Sequence, residues 1–319
     1  SAGSVMTTEF VYLKKELTVS EAFEQIRKIG LVKETVYTCY VTENRRLLGI
    51  VTVLDMLVAD SDTAVEDIME TNVISVNTHD DREYVARTMS KYDFAAIPVV
   101  DNENRIVGIV TFDDAMDVLQ EENTEDFAKM AAVVPAEDSY FKTSVWSHAK
   151  SRIPWLLILM LSATLTGMIS ASFEPQIAVI PMLVSFMPMV MGTGGNCGSQ
   201  SSTLIIRGMA IDEIRLRDFF KVVFKEFRIA LICAAVLSVV NSLRVLITYK
   251  DPALALVIGL SLIGTVVIAK LVGAMLPMGA KALRLDPAIM ANPLITTVVD
   301  SCSLLIYFTV ATNILSGRL

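Results

Sequence analysis

The chain has 319 residues, a net charge of −8 and a hydrophobic content of 53%, which points to membrane-embedded segments. The charge is unevenly divided along the chain. Residues 1–149 have a net charge of −14, whereas residues 150–319, the more apolar half, have a net charge of +6. An acidic module is a poor partner for nucleic acid and a good one for cations. The four cysteines form no CxxC pair, which argues against a disulfide framework and a structural zinc site.

The first half contains one sequence pattern twice, at a spacing of 59 residues. Residues 48–55 and 107–114 share the pattern Gly, two apolar residues, Thr, two further residues and Asp. A β-rich run and a polar turn precede each copy, and a helical pattern lies ahead of these. The predicted order is strand, helix, strand, strand, helix, twice over. This α/β repeat resembles a tandem pair of CBS domains.

The repeats are predicted at about 7–68 and 69–126, together the CBS pair 7–126. Residues 1–6 are interpreted as an added tail rather than a signal peptide, since they have no apolar core. In CBS pairs the cleft between the repeats often holds an adenine nucleotide such as ATP. The resemblance places Thr52, Asp55, Thr111 and Asp114 where ribose or phosphate would be contacted. Threonine and aspartate are also good helix N-caps, so capping and nucleotide binding both stay open.

Acidic residues crowd the end of the second repeat, between residues 113 and 126. Glu122, Glu125 and Asp126 fall within about a turn of one another on a helix, so they share a face and repel one another. A hard divalent cation prefers oxygen ligands of this kind. A run of charges is more often a solvated surface, and the sequence leaves both interpretations open.

The second half predicts five transmembrane helices. An uncharged stretch covers 153–173, which is long enough for one span, and a second covers 177–206. Further spans are predicted at about 226–248, 253–276 and 287–316. The polar, glycine-rich segment 192–198 lies at membrane depth, where it is tolerated only if protein or water covers it. The fold class is therefore a cytoplasmic α/β CBS pair followed by an all-α transmembrane domain, 150–319.

Basic residues predict the topology, since they concentrate in cytoplasmic loops. They precede the first span and lie between the second and third and between the fourth and fifth. The CBS pair is therefore expected in the cytoplasm, and an odd number of spans places the C-terminus outside the plasma membrane. Arg228, Arg244 and Lys270 are expected near helix ends, where long side chains reach the interface.

Asp300 cannot reach the interface, because it lies near the middle of the last predicted span. A carboxylate there costs roughly 2.5–3.5 kcal/mol on insertion scales, so it normally faces the protein interior or a water-filled path. Asn292, Thr296 and Asp300 recur every four residues and form a polar stripe. Oxygen ligands along a stripe suit hydrated Mg²⁺. Pro293 is expected to kink the helix or to free a carbonyl group.

Four stretches of the second half carry a specific resemblance. The run PMVMGTGGNCGSQSSTLIIRG at 188–208 resembles the second-helix signature of MgtE magnesium channels. The motifs Asp-Pro-Ala at 286–288, Asn-Pro-Leu at 292–294 and Val-Asp at 299–300 resemble the last helix of that family. The resemblance implies a homodimer of five-helix protomers in the lipid bilayer, with the pore on the two-fold axis. Asp300 would hold hydrated Mg²⁺ there, near a cytoplasmic gate at Asn292.

The resemblance also implies a Mg²⁺ sensor that gates the pore. The acidic residues that match the family's sensor pattern are Asp81, Glu83, Asp93, Asp114, Asp117, Glu122, Glu125 and Asp126. Bound Mg²⁺ would screen their repulsion and close the pore, and a connecting helix at 127–149 would couple sensor to gate. Family members usually carry a helical acidic domain ahead of the CBS pair. A sensor site shared with that domain is expected to be incomplete here.

Three other functions are alternatives to a magnesium channel. An intramembrane metalloprotease needs a histidine metal site, and both histidines, His79 and His148, lie outside the predicted spans. A chloride channel conflicts with a central aspartate. A CBS-regulated carrier of Co²⁺, Ni²⁺ or Mn²⁺, or one that exchanges Na⁺, stays open because carboxylate and amide ligands suit several ions.

Overall fold

A computed structural model describes residues 1–134, 140–290 and 292–315, without the side chains of Leu31 and Asn292. The chain divides into two compact units, Ser1–Thr124 and Glu125–Leu319. Each unit has its own buried apolar clusters.

The first unit contains two three-stranded sheets of the same design. The first repeat comprises β1 (Tyr12–Leu13), α1 (Val19–Ile29), β2 (Thr38–Glu43), β3 (Arg46–Thr52), α2 (Val53–Val58) and α3 (Val65–Ile68). The second comprises β4 (Val76–Asn77), α4 (Arg82–Tyr92), β5 (Ala96–Val100), β6 (Ile106–Thr111) and α5 (Phe112–Met130), which continues past Thr124 into the second unit. In both sheets the first strand is parallel to the second, and the second is antiparallel to the third. The predicted α/β repeat is confirmed.

Local sequence accounts for the hairpins of both sheets. Asn44 and Arg45 adopt positive φ angles of 51° and 68° in the turn between β2 and β3. Asn104 has a φ of 61° in the corresponding turn between β5 and β6. Asparagine tolerates this left-handed conformation, which matches the twist of the flanking strands. The predicted polar turns are therefore present in both repeats.

Residues 1–6 are part of the fold, so their interpretation as a tail is wrong. Ala2 is fully buried and belongs to the apolar cluster of the second sheet. Its backbone N–H donates to the Asp80 carbonyl at 2.7 Å. Val5 and Met6 pack against the same cluster, because these apolar side chains extend the buried face of that sheet.

The second unit is helical. It comprises α6 (Val145–Ser172), the short α7 (Glu174–Val179), α8 (Met182–Ala210), α9 (Phe219–Tyr249), α10 (Pro252–Ala282) and α11 (Asn292–Ile314). Among the described residues, four stretches are long and apolar enough to cross a membrane: Val145–Ser172, Leu216–Tyr249, Pro252–Ala282 and Pro287–Ile314. Helix α8, with 29 residues, is long enough as well but carries the polar glycine-rich segment. The all-α domain of five long helices is confirmed.

The segment 127–149 is not one helix, so the predicted connecting helix is wrong in that form. Helix α5 continues from the second CBS repeat to Met130, and Ala132 then adopts a left-handed φ of 53°. The described residues 131–134 and 140–144 are turn or irregular. Helix α6 begins at Val145, where the Ser144 hydroxyl accepts the Ser147 N–H at 3.2 Å. A left-handed residue ends an α-helix, which explains the break.

Pro293 does not kink α11. The helix begins at Asn292, so Pro293 lies in the first turn, where the missing N–H has no intrahelical partner in any case. The Pro293 carbonyl accepts the hydroxyls of Thr296 and Thr297 at 2.9 and 3.0 Å.

Candidate functional site

Asp300 and Thr296 share the face of α11 that is turned towards α8. A Cβ atom placed on Gly195 of α8 would lie 3.2 Å from Thr296 Cγ2 and 3.9 Å from Asp300 Oδ1. Asp300 is half-buried, and no described residue forms a hydrogen bond or an ion pair with its carboxylate. Asn292 begins the same helix, but its side chain lies outside the described part of the structure. Two members of the predicted stripe are thus brought together opposite a glycine.

Glycines allow α8 to approach its neighbours closely. A Cβ atom on Gly194 would lie 2.7 Å from Ser303 Oγ, 2.8 Å from Thr265 Cγ2 and 2.9 Å from Val299 Cγ1. A Cβ atom on Gly198 would lie 2.8 Å from Ile295 Cγ2. These distances are below normal contact, so only glycine fits. The four-residue spacing of Gly194 and Gly198 is the small-residue pattern of closely packed membrane helices.

Protein covers the polar segment 192–198 at three of its four glycines, whereas Gly192 is exposed. Gly194, Gly195 and Gly198 are all buried within the second unit. The helix is continuous through these glycines, so the hydrogen bonds of their backbone N–H and C=O groups are made within the helix and need no water. The sequence indicated that this segment had to be covered, and the four-residue spacing was the available signal for packing against α11.

The sequence did not predict a buried hydrogen-bonded network that joins α8, α9 and α10. Glu226 of α9 and Lys270 of α10 are 6% and 5% exposed, and both approach the fully buried Ser201 of α8. The expectation that Lys270 reaches the membrane interface is therefore wrong, because its ammonium group donates a hydrogen bond to Ser201 inside the protein. Opposite charges in two predicted neighbouring spans were the signal for this pairing.

Several of the predicted sensor acids are paired with cations of the same chain. Glu122 lies 3.0 Å from Arg82, whose guanidinium also contacts Glu121 at 2.8 Å. Glu83 forms an ion pair with Arg87 one turn further along α4. Burial acts to lower the pKa of Arg82, but the two glutamates outweigh it and the pKa lies above its ordinary value.

Two other predicted sensor acids lie at the ends of α4, and two lie near the end of α5. The Asp81 side chain caps α4 by accepting the Glu83 N–H at 2.9 Å. Asp93 ends the same helix with a left-handed φ of 55°. Glu125 and Asp126 lie next to each other near the end of α5. Glu125 is 2.7 Å from Lys129.

Asp114 and Asp117 border one cavity of about 450 Å³ in the first unit. Glu34, Arg82 and Glu121 also line it. Among the described residues, no group of three or more aspartate, glutamate, histidine or cysteine side chains is arranged to hold a metal ion. The sensor remains a prediction from the sequence.

Lys129 links the end of α5 to the segment that precedes α11. Its ammonium nitrogen lies 2.7 Å from Glu125 and 2.7 Å from Asp286. Burial acts to lower the pKa of Lys129, but the hydrogen bonds to Asp286 and Glu125 outweigh it and raise the pKa above its ordinary value. The Asp286 carboxylate also accepts the Ala288 N–H at 2.8 Å, so it organises the turn ahead of α11.

The four candidate nucleotide contacts form two hydrogen-bonded Thr–Asp pairs, one at the start of α2 and one at the start of α5. Thr52 and Asp55 form a reciprocal capping box at the start of α2, with Asp55 N–H to Thr52 Oγ1 at 3.1 Å and Thr52 N–H to Asp55 Oδ2 at 2.9 Å. In the second repeat, the Thr111 hydroxyl donates to Asp114 Oδ2 at 2.8 Å. The capping interpretation of Thr52 and Asp55 is confirmed, and nucleotide binding remains a prediction.

Comparison with known proteins places both units. Residues 2–62 and 65–121 match the CBS domain family, and residues 187–310 match MgtE, described as a divalent cation transporter. The chain is 42% identical over 319 residues to the magnesium transporter MgtE of Thermus thermophilus, a match that covers 99% of this chain and 70% of the relative. The chain belongs to the MgtE family. The predictions of a CBS pair joined to an MgtE membrane domain, and of a transporter rather than an enzyme, are confirmed.

One further relative and one solved structure are also similar to the chain. The magnesium transporter MgtE of Bacillus subtilis is 37% identical over 313 residues, covering 98% of this chain and 69% of the relative. The crystal structure of the cytosolic domain of the Mg²⁺ channel MgtE in complex with ATP is 45% identical. That match covers 37% of this chain and 48% of the solved chain, with a TM-score of 0.36.

Proposed function

We propose that the chain forms a Mg²⁺-selective channel in the plasma membrane, with Asp300 as the carboxylate that binds the ion. The observation that carries this proposal is the half-buried Asp300, which has no described protein partner on a helix long enough to span the membrane. A carboxylate in such a position is normally functional. The sequence identity of the chain to MgtE magnesium transporters supports Mg²⁺ as the transported ion.

Asp300 would act on hydrated Mg²⁺ rather than on a bare ion. Magnesium sheds its waters reluctantly, so one carboxylate from each of two protomers would hold it through the remaining water ligands. Gly195 has no side chain, so α8 approaches α11 closely beside Thr296 and Asp300. Thr296 and Asn292 would line the same path towards the cytoplasm. The homodimer is part of the proposal, since a two-fold axis doubles the carboxylate.

The proposed orientation places the CBS pair in the cytoplasm and the C-terminus outside. It is supported by the basic residues Arg207, Arg215 and Arg217, which lie at the end of α8 or between α8 and α9. Basic loops stay on the cytoplasmic side of a membrane. The start of α11 then faces the cytoplasm.

Mg²⁺ uptake into liposomes tests the ion site. Asp300→Ala is expected to abolish uptake while the dimer still forms, because the carboxylate is removed from the path. Glu213→Gln is the matched control, since it neutralises an exposed acid between α8 and α9 and is expected to leave uptake unchanged. Competing Ca²⁺, Mn²⁺ and Co²⁺ in the same assay measure the selectivity. Unchanged uptake by Asp300→Ala would remove the basis of the proposal.

Cytoplasmic Mg²⁺ is proposed to close the channel through the acids of the second CBS repeat and α5. The density of acids at 113–126 supports this regulation, because a dication relieves their mutual repulsion. Mg²⁺ is therefore expected to protect residues 114–149 from proteolysis. Neutralising Asp114, Asp117, Glu125 and Asp126 together is expected to abolish the protection. Protection that survives this change would reduce these acids to a solvated surface.

ATP is proposed as a second ligand of the CBS pair. The cavity bordered by Asp114 and Asp117 has room for part of a nucleotide, and the resemblance to CBS pairs places Asp114 at a ribose or phosphate contact. Isothermal titration of the detergent-solubilised chain with ATP tests this directly. Asp114→Ala is expected to weaken binding, and equal affinity in both proteins would exclude a contact at Asp114.

A further inference from the structure

Three polar side chains from three helices meet inside the second unit. The Ser201 hydroxyl of α8 donates to Glu226 Oε2 of α9 at 2.6 Å. The Lys270 ammonium of α10 donates to the same hydroxyl oxygen at 3.3 Å. Ser201 is fully buried, and the two charged residues are at most 6% exposed. The three groups form a buried hydrogen-bonded chain from Lys270 through Ser201 to Glu226, which joins three helices.

The chemistry of the three groups fixes the direction of this network. An ammonium group only donates hydrogen bonds, an ionised carboxylate only accepts them, and a hydroxyl does both. Ser201 can therefore connect Lys270 to Glu226 in one polarity. Removing the hydroxyl leaves a gap between two buried charges, and a buried charge without its partner is strongly disfavoured.

The network acts on the helix that faces the ion site. Ser201 lies six residues beyond Gly195, which is about 9 Å along the axis of α8. Between them, the Gly198 backbone packs so closely on Gly273 of α10 that a Cβ atom there would overlap the Gly198 carbonyl. This contact and Ser201 together define the position of α8 along its axis. In that position, Gly195 lies opposite Asp300.

We propose that Ser201 is a positioning residue for the ion site. Through Glu226 and Lys270 it holds α8 against α9 and α10, and thereby keeps Gly195 opposite the Asp300 carboxylate. The inference rests on the proposed role of Asp300 in Mg²⁺ transport. None of the three residues lies among the predicted pore residues, so their effect reaches the ion through the placement of α8.

Ser202 provides a matched control for Ser201. It is the next residue of the same helix and is equally buried, but its hydroxyl has no hydrogen-bond partner among the described residues. Ser201→Ala and Ser202→Ala therefore remove the same atom from two equally buried positions of one helix. Only the first change breaks the network.

The dependence of uptake on Mg²⁺ concentration separates positioning from simple stability. The full chain is reconstituted into liposomes, and initial uptake is measured over a range of Mg²⁺. Ser201→Ala is expected to raise the half-saturating Mg²⁺ concentration at least about threefold, and Ser202→Ala to leave it unchanged. A structural role alone would lower the maximal rate, because less protein is active, without changing half-saturation. Ser201→Thr keeps the hydroxyl and is expected to restore the wild-type value.

A second variant covers the case in which Ser201→Ala does not fold. Glu226→Gln keeps an acceptor for the Ser201 hydroxyl but removes the charge that balances Lys270, and at least about a twofold rise is expected. Equal half-saturation in the tested network variant and Ser202→Ala would overturn the inference, even though the wild type transports Mg²⁺. A wild-type chain without Mg²⁺ uptake would overturn the proposed function and this inference with it.

Discussion

The close approach of α8 to α10 and α11 predicts that Gly194 cannot be replaced by alanine without loss of stability. An added methyl group would lie within 3.0 Å of Ser303 on α11, Thr265 on α10 and Val299 on α11. Overpacking of this kind costs about 1–3 kcal/mol. Replacing glycine by alanine within a helix returns roughly 0.5–1 kcal/mol, so a net loss of about 1–2 kcal/mol is expected.

Gly192 supplies the control for this substitution. It lies in the same helix, but a Cβ atom there would meet nothing within 4 Å. Gly192→Ala is therefore expected to be neutral or stabilising. Thermal unfolding of both variants in one detergent, followed by loss of the monodisperse size-exclusion peak, measures the difference. A Gly194→Ala protein as stable as Gly192→Ala would refute the close packing of these helices.

Two further predictions concern contacts outside the spans. Lys129→Met breaks the contact with Asp286 and is expected to cost about 1 kcal/mol of stability at most, because both side chains are partly exposed. The readout is faster proteolysis after Met130. An unchanged rate of proteolysis would contradict a stabilising role of this contact. Hydrogen bonds from the Thr18 backbone and hydroxyl lower the pKa of Glu21. Glu21 therefore stabilises the fold above its unfolded pKa of about 4.3, and this stabilisation is lost as pH falls through the lower folded pKa. Denaturant unfolding should show Glu21→Gln less stable than wild type at pH 7 and equal to it in strong acid, and a constant difference would contradict the capping role.

Much of the fold could be predicted from the sequence, because local patterns carried it. The two copies of the Gly-Thr-Asp pattern fixed the paired α/β repeats, and apolar length identified the long helices. Two segments were not predictable in this way. Residues 1–6 pack through Ala2, whose burial depends on a sheet far along the chain. The end of α5 near Ala132 depends on a backbone conformation that alanine rarely adopts.

The candidate site was predictable in its chemistry more than in its surroundings. Asp300 stood out because a carboxylate is costly within an apolar helix, and its four-residue spacing from Thr296 indicated a shared face. Its opposition to Gly195 required the packing of α8 on α11. Lys270 was misjudged because its partner, Glu226, lies on another helix and meets it only through Ser201.

The central claim is that Mg²⁺ crosses the membrane past the Asp300 carboxylate. Asp300→Asn tests it most directly, because asparagine keeps the shape of the side chain and removes only its charge. The initial rate of Mg²⁺ uptake into liposomes, at equal protein density, is expected to fall by at least about tenfold, which corresponds to roughly 1.4 kcal/mol. A rate equal to that of the wild type, with selectivity over Ca²⁺ and Mn²⁺ unchanged, would contradict the claim.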